Sequence, residues 1–255
     1  MEVAQHVAEL RRQGELLAQA AARAGLDASI PTCPDWRMRD LLQHMGDVHR
    51  WAAAHITQRR ALGIRDVAGV AGPLPDDLGL LDWYREGHAA LVRTLESAAP
   101  DLACWTFLPA PSPLAFWARR QAHETAIHRA DAESPSGRFT PFEPEFAVDG
   151  VDELVRGFLV RADGDPLGEP TWMLRVRATD TGHEWLARVG DQALDVLADE
   201  GEPAECTIAA KASDLHLFLW NRLPAERMNV EGDASLLDRW RDLARITWSR
   251  PRTRS

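Results

Sequence analysis

Glu124 and His128 stand four residues apart in the segment Arg119-Arg120-Gln121-Ala122-His123-Glu124-Thr125-Ala126-Ile127-His128-Arg129-Ala130-Asp131. On an α-helix that spacing leaves them about 40° apart around the axis and one turn apart along it, so a carboxylate and an imidazole can meet at one point. An oxygen and a nitrogen donor so placed suit Zn²⁺ or another divalent first-row ion. The segment is not the HExxH zinc helix, because the position four after His123 is Ile127. His123 and His128 lie about 140° apart around a helix and cannot share an ion. A Glu–His pair at this spacing is more often a solvated pair worth a few tenths of a kcal/mol. Here, however, Trp117, Arg120, Glu124, His128 and Asp131 form one stripe, and the other side carries Arg119, Thr125 and Arg129 rather than apolar residues. A polar stripe is costly to bury without a purpose, and the pattern turns Glu124 and His128 inward.

Two donors make a weak site, so a third must come from another element. His44, in Leu41-Leu42-Gln43-His44-Met45, sits at the edge of an inward helical face and is the leading choice, with His55 and His88 in reserve. His49, five residues further on, points elsewhere. A lone core histidine is more often a hydrogen-bonded residue than a ligand, but facing helices that each donate inward ligands are an established way to build a metal site in a bundle. Cys33 lies in a proline loop, Cys104 and Cys206 have no neighbouring histidine, and all three read as inert, semi-buried thiols.

The elements that must position these residues are helical up to about residue 135. Apolar spacing predicts helices over 2–24, 37–54 and 77–98, with Gly25 ending the first, and a fourth helix is expected over 114–133, after Pro109–Pro113. Ile30-Pro31-Thr32-Cys33-Pro34-Asp35 is a stiff loop that cannot continue a helix. Residues 61–76 read as a loop. Four helices with modest connections suggest an antiparallel bundle. Ser134–Gly137 and Thr140–Pro144 read as a linker. Beyond it, a helix is expected over 151–160, strands over 171–179, 184–189, 193–197 and 205–210, and helices over 213–220 and 234–246. The expected fold is α followed by α+β: a four-helix bundle over 1–138 and a smaller mixed α+β domain over 145–250.

Composition narrows the function classes. The chain has 255 residues, 45% apolar and 27% charged, with a formal net charge of −10. That length makes one large domain or two modest ones, able to bury a core without staples. So acidic a chain is poorly suited to phosphate backbones or anionic membranes, and neither nucleic acid nor membrane is expected as a partner. Three scattered cysteines form no disulfide framework and no thiolate zinc site, which fits a reducing cytoplasm. No run approaches the ~18 apolar residues of a membrane span. The first helix, with Glu2, Glu9 and Glu15, lacks the apolar stretch of a signal peptide.

Thr32-Cys33-Pro34-Asp35-Trp36, followed by Arg39-Asp40-Leu41-Leu42-Gln43-His44-Met45-Gly46-Asp47-Val48-His49-Arg50-Trp51, resembles the N-terminal signature of the mycothiol-dependent maleylpyruvate isomerase family, one of the DinB-like metal-binding bundles. Residues 120–129 resemble that family's second signature. Ala178-Thr179-Asp180, Glu184-Trp185, Ala212-Ser213-Asp214-Leu215 and Leu219-Trp220-Asn221-Arg222 resemble its C-terminal, sterol-carrier-like (SCP2-like) α+β domain. The resemblance spans nearly the whole chain. It implies a divalent metal held by His44, Glu124 and His128, zinc above nickel, cobalt or manganese, with mycothiol as co-substrate. The sequence departs from the family pattern after Trp36, where a Thr or Ser helix cap is usual and Arg37 stands instead. That loses about 1 kcal/mol unless Asp35 serves as the cap.

Three protein ligands leave a coordination position open, the pattern of a catalytic metal. A thiol there would ionise near neutral pH and attack a small electrophile, maleylpyruvate-like or xenobiotic. The resemblance therefore implies an isomerase or S-transferase acting as a monomer or homodimer. Glu124 and His128 would be ligands rather than general bases. Arg120 would either pair with a substrate carboxylate or orient Glu124. Asp131 would stand behind the ligands, and Arg222 would anchor acid groups. Two other readings are a non-catalytic metal or small-molecule binding protein and a metal-dependent hydrolase that uses water.

Overall fold

A computed structural model describes residues 1–160, 170–190, 194–198 and 201–245 of the chain. They form two compact units, one comprising Met1–Thr140 and the other beginning at Pro141.

The first unit is helical: α1 (Val3–Ala24), α2 (Met38–Thr57), the short α3 (Val67–Ala71), α4 (Leu80–Ser97) and α5 (Pro113–Glu133). α1 packs on α4 and α5, and α2 packs on α4 and α5, so these four long helices make the bundle. Leu17, Ala18 and Ala21 of α1 share one buried apolar cluster with Leu41, Leu42 and Met45 of α2 and Tyr84 of α4, and Leu10, Leu91 and Leu95 are buried as well. The helices start and stop for local reasons. Gly25, at φ 80°, ends α1. Ser112 accepts from the Ala115 N–H at 3.1 Å, and Pro113 fills the first helical position of α5. At the start of α2, the expected substitute cap at Asp35 gives way to another. The Arg37 N–H donates to Asp40 Oδ2 at 2.8 Å. Arg37 itself has no side-chain acceptor, so Asp40 supplies only the carboxylate half of a capping box. α3 lies inside the stretch expected to be loop. Its five residues are too few for an apolar period, and Asp66 caps it by accepting from the Gly69 N–H at 2.8 Å.

At one position, two helices approach closely because a side chain is missing. A Cβ on Gly14 would run into the His88 imidazole. The space lets His88 Nε2 reach the Leu10 carbonyl at 3.0 Å, and the Tyr84 hydroxyl donates to the Gly14 carbonyl at 3.1 Å.

The second unit begins with α6 (Pro144–Glu153), which widens into a π-helical turn over Leu154–Phe158. The helix starts earlier than the expected 151, within the stretch read as linker, because Pro144 occupies its first position, where a missing N–H costs nothing. A five-stranded sheet follows: β1 (Trp172–Ala178), β2 (Glu184–Val189), β3 (Leu194–Leu197), β4 (Cys206–Ala210) and β5 (Asn229–Gly232), in the order β3-β2-β1-β4-β5. β1 runs parallel to β4, and the other pairs are antiparallel. Gly182, at φ 74°, makes the turn between β1 and β2. α7 (Ala212–Leu219) packs on α6 and on the sheet, and α8 (Leu236–Leu243) closes the described chain. Trp172, Leu174, Val176 and Ala178, expected on one face, are all buried. β5 is absent from the sequence-based expectation. It is a short polar edge strand, mostly exposed, and carries no apolar alternation. The expected strand start at Ala193, the helix end at Ile246 and the last residues of the 145–250 domain lie outside the described residues.

Among the described residues, no helix is long and apolar enough to cross a membrane.

Candidate metal centre

α5 is an unusual helix, since every residue from Arg120 to Glu133 is buried. Buried polar groups need partners, and α5 finds them in its neighbours and in itself. His49 Nε2 lies 2.9 Å from Thr125 Oγ1. Arg129 Nε donates to Gln13 Oε1 at 3.0 Å and its Nη1 to Glu133 at 2.5 Å. The stripe expected to face inward does so, although the opposite side is buried as well.

On that stripe Glu124 and His128 converge, and α2 brings His44 to meet them. One side-chain ligand atom of each lies within 4.8 Å of the other two. Both imidazole Nε2 atoms are 3.5 Å from Glu124 Oε1. All three residues are buried, with relative exposures of 6%, 4% and 0% for His44, Glu124 and His128. A zinc ion with bonds of ~2.0–2.1 Å and tetrahedral angles sets its ligand atoms roughly 3.4 Å apart. The observed spacing is close to that edge and longer than a good hydrogen bond. Two neutral imidazole nitrogens and one carboxylate oxygen are also a donor set that zinc accepts. On distance, burial and donor chemistry, the three residues fit a divalent cation.

The surroundings hold these side chains in place. Arg120 Nη2 donates to Glu124 Oε2 at 2.8 Å, leaving Oε1 to face the histidines. His128 Nδ1 lies 2.8 Å from Asp131 Oδ2, while Asp131 Oδ1 accepts from Thr32 Oγ1 at 2.6 Å. The Trp36 ring stacks on His128 at 5.9 Å and 15° and leans on His44 at 5.0 Å. Burial alone would raise the Glu124 carboxyl, but contacts with His128 and His44 and the Arg120 charge outweigh it and hold the group well below the usual carboxylate range. Burial opposes protonation of both imidazoles. It prevails at His44, which is lowered, and is overcome at His128 by Asp131 and Glu124, which raise it.

The other expected residues go elsewhere. His88 reaches the Leu10 carbonyl, as noted, and His55 Nε2 accepts from the Ile64 N–H at 3.2 Å between the rings of Trp105 and Trp117. His123 lies edge-on to His6. Cys33, Cys104 and Cys206 are thiols outside any disulfide, and burial raises Cys104 and takes Cys206 up to about 11. Arg222 belongs to the second unit, where its Nη1 donates to the Trp220 carbonyl at 2.7 Å just past the end of α7. Sequence reasoning missed any part for Thr32 and Trp36. Thr32 lies 99 residues from Asp131, and no local spacing links the two.

The buried histidines set a pH dependence. Burial lowers His49, His55 and His88 below the ordinary imidazole value, His55 to about 4. Between about pH 6.5 and 4 the unfolded chain binds protons that the folded chain refuses, so stability falls as pH falls through that window. His44 is lowered as well, while His128, raised instead, acts in the opposite direction, and four lowered imidazoles against one raised set the sign. The thermal midpoint of metal-free protein in chelator is expected to drop between pH 7 and pH 4.5. A flat profile would contradict the burial of these neutral rings.

Fold and site together define a class: a helical bundle with a buried His–Glu–His cluster, followed by a small mixed-sheet unit. Residues 7–133 match the family model described as mycothiol maleylpyruvate isomerase N-terminal domain, and residues 145–239 match the C-terminal domain model of the same family. The chain belongs to the mycothiol-dependent maleylpyruvate isomerase family. A crystal structure of the mycothiol-dependent maleylpyruvate isomerase superposes with a TM-score of 0.62 at 10% identity, covering 92% of this chain and 95% of that one. The structure of its histidine-to-alanine mutant gives 0.60 at 11% identity, with the same coverage of both chains. At such identities the two show a shared fold. A search of curated proteins found no match.

Proposed function

We propose that this chain is a metal-dependent, mycothiol-using isomerase or S-transferase, with a divalent cation, zinc foremost, held by His44, Glu124 and His128. The observation that carries the reading is the convergence of those three buried side chains from two helices, in a chain whose family is named for mycothiol-dependent isomerisation. A cation there supplies the positive charge that lets a thiol lose its proton near neutral pH.

The protein's own groups do the rest. The Arg120 guanidinium, 2% exposed and bound to Glu124 Oε2, orients that carboxylate. This contact favours the orienting role over direct pairing with a substrate. Asp131 accepts the Nδ1 proton of His128 and so keeps the Nε2 lone pair toward the cluster. Trp36 walls the imidazoles with an apolar ring. For the substrate, a cis-unsaturated diacid fits the family name. Sulfur addition makes the double bond single, rotation follows, and loss of the same sulfur restores the double bond in the trans form. The thiol is returned unchanged.

The test is a thiol panel on purified, zinc-loaded protein with a cis-unsaturated diacid, in the presence and absence of mycothiol. Turnover that requires the thiol is expected. Turnover without it would overturn the thiol reading, a water-cleaved product pointing to a hydrolase, and binding without turnover under either condition would replace it with a carrier.

A further inference from the structure

We infer that Thr32 is a positioning residue for the metal cluster, acting through Asp131 to hold His128 in the tautomer and orientation that turn Nε2 toward Glu124 and His44. The inference deepens the metal reading and rests on it only for the affinity arm of the test below.

The argument begins with the two oxygens of one buried carboxylate. Asp131, 0% exposed, sits one turn beyond His128 on α5 and lies 2.8 Å from its Nδ1 through Oδ2. A carboxylate only accepts, so Nδ1 carries a proton, and in the neutral ring the lone pair is then on Nε2. A carboxylate on a two-bond stem is free to rotate unless its second oxygen is tied. Thr32 Oγ1 ties it, donating to Oδ1 at 2.6 Å. Three groups from two segments thus form one line: hydroxyl, carboxylate, imidazole.

The loop carrying Thr32 is itself fastened. The Ile30 N–H donates to the Trp36 carbonyl at 3.1 Å, the Trp36 N–H to the Cys33 carbonyl at 2.8 Å and the Met38 N–H to the Ala28 carbonyl at 2.9 Å. These bonds close the loop against the first turn of α2, the helix that supplies His44. The same loop lays the Trp36 ring nearly parallel to the His128 ring, 15° off, where it opposes a ring flip. One proline-bounded loop therefore fixes His128 from both sides, by a hydrogen-bonded relay at one edge and a stacked ring at the face. Partners standing behind a metal-bound imidazole typically carry 10–100-fold in metal affinity.

The experiment compares wild type with Thr32→Val, which keeps the shape and removes the hydroxyl, and Thr32→Ser, which keeps the hydroxyl and removes the methyl. Two readouts are taken. Imidazole ¹⁵N NMR of the metal-free protein reports the His128 tautomer, and competition titration with zinc alone reports affinity. Thr32→Val is expected to mix the tautomers and weaken zinc about tenfold, the low end of that range, while Thr32→Ser stays close to wild type on both. An unchanged tautomer and affinity in Thr32→Val would overturn the inference, and so would a Thr32→Ser variant as impaired as Thr32→Val. If wild type binds no zinc, the metal reading fails, and the tautomer measurement still decides the role of Thr32.

Discussion

Replacing His128 with alanine is expected to take the purified protein from stoichiometric zinc to a trace. His128 is one of three donors, and its Nε2 lies 3.5 Å from Glu124 Oε1 in a fully buried setting where water is poorly placed to substitute. Loss of a direct donor should exceed the 10–100-fold typical of partners behind a ligand, so a drop in affinity of more than about a hundredfold is expected. His44→Ala should behave alike, because α2 offers no second histidine to the cluster: His49 lies against Thr125, and His55 is enclosed by Trp105 and Trp117. His55→Phe is the control. It keeps a flat ring in an aromatic slot and should leave zinc content unchanged. Metal analysis of the three variants beside wild type checks the assignment, and full zinc in both alanine variants would remove it.

The largest effect on stability should come from a different part of α5. Arg129 is 0% exposed, yet it carries a guanidinium that reaches Gln13 on α1, Glu133 one turn on and the Thr140 carbonyl beyond the helix, the last at 2.6 Å. Glu133 in turn accepts from the Thr140 N–H at 2.8 Å and from its hydroxyl at 2.6 Å. Arg129→Met fills much of the same space but leaves Glu133 as a buried carboxylate without its cation. Breaking a buried pair in this way costs about 3–5 kcal/mol. At roughly 2–4 °C per kcal/mol for a chain of this size, the thermal midpoint should fall by about 10 °C. The double variant Arg129→Met/Glu133→Gln should recover part of that loss, because the orphaned charge is gone. A single variant that melts like wild type, or a double variant no better than the single, would show that the pair carries no such weight.

The bundle helices could be read from the chain because each long one except α5 shows an apolar face at helical spacing. α5 shows no such face, and the sequence places it only by the proline-bounded stretch Pro109–Pro113 that precedes it, since polar residues surround it on all sides. That same property marked it as the helix of interest. A polar helix inside a bundle needs partners, and the stripe through Arg120, Glu124, His128 and Asp131 is where several of them lie. What went unread was short or exposed. α3 has five residues, and β5 is an edge strand with a mostly exposed Asn-Val-Glu-Gly sequence. Neither is long enough for a period to declare itself, and both owe their form to a cap or to the neighbouring strand.

The pairing of Glu124 with His128 was determined by sequence alone, because positions four apart on one helix are brought together by the helix itself. The tertiary structure decided which histidine joins them. His44, His55 and His88 are all buried, and the sequence puts His44 first only by its place at the edge of an inward helical face. Only the packing of α2 against α5 sets the separation that one satisfies and two do not. Thr32 depends on packing in the same way, reaching Asp131 across 99 residues of chain. Angles within an element follow from the backbone period, whereas distances between elements are set by the side chains that fill the space between them.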